Sequence, residues 1–184
     1  MRNLVVSTWM SLDGVFDADS MDRWFNPYDT PERQEYIQES IMACSAILFG
    51  RKTYEMLAPY WSSLHHNEMG IAAKLNSAPK YVVSSTLKKA EWENSSIIKE
   101  NITQEITRLK NQPGGEIQIE GSAALVQSLM TAGLIDEYRF LVHPVIVGSG
   151  KRFFKEGIAA PLQLVEAKPF SSGVVLLRYQ PGAR

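Results

Sequence analysis

Gly50, Arg51, Lys52 and Thr53 stand between an apolar run, "SAILF", and the helix formers of "KTYEML". A strand that ends in glycine and turns straight into a helix offers unpaired backbone N–H groups to an anion, and the glycine lets that anion come close. Arg51 and Lys52 add positive charge, and an arginine can grip a phosphate with two parallel hydrogen bonds. The same four residues also read as a plain helix start with solvated cations. Two more strand ends carry comparable chemistry. Ser84, Ser85 and Thr86 follow "KYVV". Hydroxyls with no acid at such a place suit a ribose 2′-phosphate, hence NADP(H) rather than NAD(H); they serve equally as a capping cluster. Gly121, Ser122 and Ala123 follow "EIQIE" and open a helix with residues small enough for a pyrophosphate to reach the backbone. Neither the G-x-G-x-x-G fingerprint of Rossmann folds nor the phosphate-binding-loop signature occurs. Each cradle alone is weak. Three at successive strand ends of one sheet carry more weight.

A second cluster follows the first strand signal: Ser11, Asp13 and Gly14 in "SLDG", then Asp22 and Trp24. Asp13 could bind a substrate hydroxyl or amine or relay a proton, or be an acid in a tight turn. Trp24 could wall a pocket for a flat ring or plug the core. His65 and His66 lie in a polar loop and read as surface residues, and His143, inside a strand before Pro144, as a core or interface histidine. No grouping suggests a Ser-His-Asp triad or a metal site.

At 184 residues the chain fits one α/β domain spanning 1–184. Its formal net charge of −1 gives no basic field for nucleic acid or an anionic membrane. One cysteine, Cys44, allows no internal disulfide and no multi-cysteine zinc pattern, and reads as a buried structural thiol. The first residues lack the apolar core of a signal peptide and no run is long enough to span a bilayer, so a cytoplasmic protein is expected.

Strand and helix signals alternate. "NLVVSTW", "SAILFG", "KYVVSST", a weaker "SSIIK" and "EIQIEG" read as strands. "PERQEYIQESIMAC" has apolar residues at helical spacing, Tyr36, Ile37, Ile41 and Met42, behind Pro31. "KTYEMLAPYW" predicts a short helix broken near Pro59. "NITQEITRLKNQPGG" and "SAALVQSLMTAGL" predict two more helices. This alternation implies a mostly parallel sheet with helices on both faces. "DEYRFLVHPVIVG" and "GVVLLRYQ" then read as long strands, the last ones forming an antiparallel hairpin around "PFSSG".

These segments resemble a known family. "GRKTYE" after an apolar strand is similar to the corresponding turn of dihydrofolate reductases. "SLDG", "KYVVSST" and "IEGSAALVQSLMTAGLIDEYRFLVHPVIVGSGKRFF" together resemble the reductase domain of bifunctional riboflavin-biosynthesis proteins. The resemblance implies a three-layer dihydrofolate-reductase-like fold and an NADPH cofactor lying across the strand ends. Gly50, Arg51, Lys52 and Thr53 would hold its phosphates, Ser84, Ser85 and Thr86 the 2′-phosphate, and Gly121, Ser122 and Ala123 the pyrophosphate. Asp13, as the catalytic candidate, and Glu120 fall at acidic positions on the substrate side, with Ser11 and Trp24 beside them. It also implies a homodimer.

One departure bears on the substrate. The loop "VFDADSMDRWFNPYDTPE" is acidic where the riboflavin enzymes are rich in serine and threonine around a phosphoribosyl group, and it would repel a phosphorylated substrate. The expected activity is NADPH-dependent hydride transfer to a small pterin- or pyrimidine-like ring. The alternative is a nucleotide-binding protein of the same fold without catalysis. Phe140 to Val147, apolar at nearly every position apart from His143, further predicts a strand with both faces covered, the second by a symmetry mate or by "SAALVQSLMTAGL".

Overall fold

The computed structural model describes residues 1–183. In chain order the elements are β1 (Leu4–Ser11), α1 (Met21–Trp24), α2 (Pro31–Ala43), β2 (Ala46–Gly50), α3 (Arg51–Trp61), α4 (Ala72–Ser77), β3 (Lys80–Val83), β4 (Ser95–Ile98), α5 (Ile102–Lys110), β5 (Ile117–Ile119), α6 (Ala123–Thr131), β6 (Glu137–His143), β7 (Leu162–Pro169) and β8 (Val175–Pro181). The strands form one eight-stranded sheet in the order β4-β3-β2-β5-β1-β6-β8-β7. Neighbours from β4 to β6 are parallel; β8 runs antiparallel to both β6 and β7. The expected three-layer fold with its C-terminal hairpin is therefore present.

Alternation along the strands sorts the side chains into two layers. Leu4, Val6, Leu48, Ile117, Ile119 and Phe140 pack on one face with Ile106 and Leu109 of α5 and Val126 and Leu129 of α6. Ile47, Phe49 and Val82 pack on the other with Ile41 of α2, Tyr54 of α3 and Leu75 of α4. The all-buried run Ala46–Gly50 is what a strand covered on both faces looks like in sequence. Thr30 caps α2 by accepting from the Arg33 N–H, with Pro31 as the first helical residue.

Three expectations need correcting. Helix α3 continues through Pro59 to Trp61, because a proline this near the helix end removes the hydrogen bond of a single carbonyl, that of the exposed Glu55. Met42 is exposed rather than on the packed face of α2. Strand β6 stops at His143, so Pro144–Val147 is loop, with Ile146 72% exposed. Proline cannot donate to a ladder, which accounts for the stop. Within the chain β6 lies between β1 and β8, with Phe140 against the α6 layer and Leu141 among Phe170, Val174 and Leu176.

Candidate active site

Three short residue groups meet at the carboxyl ends of adjacent strands. In the sheet register Gly50 pairs with Val83 and Leu48 with Ile119, so the turns after β2, β3 and β5 lie side by side. This is where an open parallel sheet exposes helix N-termini to a ligand. Gly50 N–H donates to the Gly121 carbonyl at 2.9 Å, pinning the first and third turns together. Helices α3 and α6 both begin there, and neither receives a side-chain cap. Their first-turn N–H groups are thus free for an anion. A Cβ on Gly50 would sit 2.4 Å from Ser122 Oγ, and one on Gly121 3.2 Å from Thr53 Oγ1. Only glycine permits this approach of two helix starts. Arg51 and Lys52 are exposed at the rim, Arg51 reaching Glu55 at 3.4 Å, while Ala123 is buried at the helix start.

Ser84 departs from its expected role. It is buried, and its hydroxyl accepts from the N–H groups of Thr86 and Leu87 at 3.2 and 2.9 Å, so it caps the turn. Ser85 and Thr86 remain exposed next to the Gly50 turn and are the hydroxyl-bearing residues a ligand can reach there.

Beside this cradle lies a cavity of about 70 Å³ that sequence reasoning met only through Glu120. Strand β1 contributes Ser7 and Trp9; α2 contributes Tyr36, Ile37, Ser40 and Ile41. Trp61, Ile71, Leu75 and Trp92 close the far wall, and Gln118 and Glu120 come from β5 and its end. The polar residues form a chain. Ser40 Oγ donates to Gln118 Oε1 at 3.2 Å, which turns the Gln118 amide so that Nε2 donates to Glu120 Oε1. Among the described residues the second Glu120 oxygen has no hydrogen-bond partner. Burial pushes the Glu120 carboxyl up to about 7, against a smaller lowering by Gln118. The Tyr36 hydroxyl is buried without a partner, and burial raises it to about 12, so it stays protonated. A sequence signal for this group existed: Ser7 with Trp9, and Gln118 with Glu120, are i, i+2 pairs that place polar atoms on a buried face.

The "SLDG" residues do other work. Ser11 is fully buried; its hydroxyl donates to Asp13 Oδ1 at 2.7 Å and accepts from Val15 N–H at 2.9 Å. Asp13 also accepts from the N–H groups of Val147 and Gly148, at 3.1 and 2.9 Å, and faces Arg152. The Ser11 bond, with the two N–H donors behind it, holds the Asp13 carboxyl down at about 2. A group ionised throughout the neutral range is a poor proton relay, and Asp13 does not line the cavity. It staples the turn after β1 to the loop after β6. Asp13→Asn should lower stability at pH 7 by about 1 kcal/mol, a charge-assisted bond discounted for solvent access. With its folded value below the unfolded one, the contribution is present above pH 4 and lost as pH falls toward 2, which urea unfolding at pH 7 and pH 3 reads out.

Trp24 is the core plug of the two alternatives. It is 2% exposed, its Nε1–H is shared between Asp17 O and Ser20 Oγ at 3.2 Å each, and it packs edge-on to His143. His143 is itself fully buried between Arg33 Nη1 and Met10 O, and burial drops it to about 4, so it is neutral. Asp22, His65 and His66 are exposed, and Cys44 is buried. No grouping of metal-ligating side chains occurs among the described residues, and no helix is long and apolar enough to cross a membrane.

The family model for the RibD C-terminal domain matches residues 2–176. The chain belongs to the RibD C-terminal domain family. It is 37% identical over 139 residues to the uncharacterized protein YyaP of Bacillus subtilis (strain 168), covering 72% of each. In three dimensions this member of the family is similar to a pyrimidine reductase-like protein from Corynebacterium diphtheriae, with a TM-score of 0.70 at 12% identity, covering 100% of this chain and 93% of that one. It is also similar to a dihydrofolate reductase from Enterococcus faecalis complexed with NADP(H), with a TM-score of 0.67 at 13% identity and 98% and 97% coverage. These likenesses carry the dihydrofolate-reductase-like fold.

Proposed function

We propose that the protein is an NADPH-dependent reductase that transfers a hydride to a small heterocyclic ring. One observation carries this reading: Glu120, an acid tuned close to neutrality in the cavity, directly precedes Gly121 and Ser122 of the anion cradle. Nucleotide cradle and proton source thus share one strand end. When bound, NADPH supplies the hydride. The free N–H groups of α3 and α6 hold the pyrophosphate, and Arg51 with Ser85 and Thr86 meets the 2′-phosphate. The indoles of Trp9, Trp61 and Trp92 exclude water from the ring. Glu120 gives the matching proton to the atom beside the reduced carbon and regains it from solvent. A carboxyl near the working pH suits such a transfer.

Oxidation of NADPH, followed across uncharged pyrimidine, pterin and quinone substrates, tests the reading. Turnover with none, while the nucleotide binds, leaves a binding protein of the same fold. Arg51→Ala should weaken NADPH binding by about tenfold, since a charge-assisted bond contributes roughly 1.5–3 kcal/mol, and NADH binding much less. Equal losses would move Arg51 off the 2′-phosphate.

The reading includes a homodimer through β7. This edge strand leaves Leu164 and Val165 53% and 47% exposed, and an unpaired apolar edge invites a second chain. Light scattering at micromolar concentration should give the dimer mass; a monomer mass removes this part.

A further inference from the structure

We propose that the cavity beside Glu120 takes a flat, uncharged ring bearing N–H or amino groups and rejects the same ring once it carries a phosphate or carboxylate. This rests on reading the cavity as the substrate site. No lysine, arginine or histidine lines it, and its one ionisable group of acidic type besides the Tyr36 phenol is Glu120. The cations whose charge reaches Tyr36 are Arg139 and Arg178. Both are committed: Arg139 to Glu116 and Glu137 at 2.6 to 2.9 Å, Arg178 to Glu137 and Glu166 at 2.9 Å. Arg33, on the same helix as Tyr36, is spent on the Phe25 carbonyl, His143 and Asp29. Lys80 gives its three protons to the carbonyls of Leu75, Asn76 and Ala78, and Lys74 of α4 does not line the cavity. An anionic substituent would enter a partly desolvated space beside a carboxyl and find no free counter-charge.

The site is nevertheless built for polar atoms. The Ser40–Gln118–Glu120 chain ends on a carboxyl oxygen that no other described residue meets. A carboxyl oxygen accepts from an N–H or amino group, so a ring with such an edge would complete the chain. The indoles of Trp9, Trp61 and Trp92 suit a flat ring.

The test measures binding without turnover. At pH 8, with Glu120 ionised, 5-aminouracil is compared with orotate and uridine 5′-monophosphate by tryptophan fluorescence corrected for absorbance, on the full chain. At least tenfold tighter binding of 5-aminouracil than of either anion is expected. Glu120→Gln should shrink the ratio to orotate to below about threefold, since removing the charge removes most of the repulsion. Equal or tighter binding of either anion, no binding of 5-aminouracil, or a ratio unchanged by Glu120→Gln would each overturn the proposal. Titrating NADPH into the same samples separates the two readings. Bound NADPH with anion preference sinks only the substrate inference, and neutral-ring preference without NADPH binding sinks only the reductase.

Discussion

Glu120→Gln should reduce turnover by about 10²-fold or more while leaving NADPH affinity within about twofold, the loss expected when a positioned general acid is removed. The amide keeps the shape and can still meet Gln118, but it holds no transferable proton. The pH dependence separates this role from a structural one. In the wild type the protonated carboxyl is the active form, so turnover should fall as pH rises through about 7, the value to which burial lifts Glu120. The residual rate of the variant should be flat across that range. The substitution should affect stability in the opposite sense to turnover. A folded value above the unfolded one means the native state holds the proton longer, so stability is present below pH 4.5 and declines as pH rises through 7. Above pH 7 the variant should be more stable by on the order of 2–3 kcal/mol. A variant that is less stable and keeps the wild-type pH profile would remove Glu120 from the chemistry.

Gly50→Ala should cost NADPH affinity at least about tenfold and destabilise the protein by about 1–3 kcal/mol, the range for an added methyl in a closed site. The new Cβ would lie 2.4 Å from Ser122 Oγ and 3.1 Å from Ser122 N, so the starts of α3 and α6 must separate. Because the nearest atom is a side-chain oxygen, Gly50→Ala combined with Ser122→Gly should recover part of both losses. Calorimetric titration of the three variants with NADPH, below their melting temperatures, reads this directly. Unaltered affinity in Gly50→Ala would place the nucleotide elsewhere.

The sheet is legible in the chain because its central strands are covered on both faces, so "AILFG" appears as a short unbroken apolar run that ends at a glycine and "IQI" as a fully buried triplet. The cradle was legible because Gly50 and Gly121 mark places where only glycine fits. Asp13 was misleading. An acid in a turn beside a strand end looks alike whether it faces a ligand or, as here, two backbone N–H groups of a loop 134 and 135 residues away in the chain. Ser84 misled for a related reason: a hydroxyl after a strand serves a ligand or its own turn equally well. Trp9, Tyr36, Trp61 and Trp92 were not assembled at all. They come from β1, α2, the end of α3 and the segment before β4, and only the folded chain brings them around Gln118 and Glu120. The apolar run past His143 reads as strand because hydrophobicity carries no record of a donor missing at Pro144.

In the proposed reading the turns after β2, β3 and β5 form one NADPH site beside an acid-bearing cavity. Titration of the purified protein with NADPH and NADH, followed by energy transfer from tryptophan to the bound nicotinamide, tests it most directly. Saturable NADPH binding at micromolar concentration is expected, at least about tenfold tighter than NADH, with the preference falling in Arg51→Ala and the affinity falling at least about tenfold in Gly50→Ala. Binding of neither nucleotide, or NADPH binding that Gly50→Ala leaves intact, would contradict it.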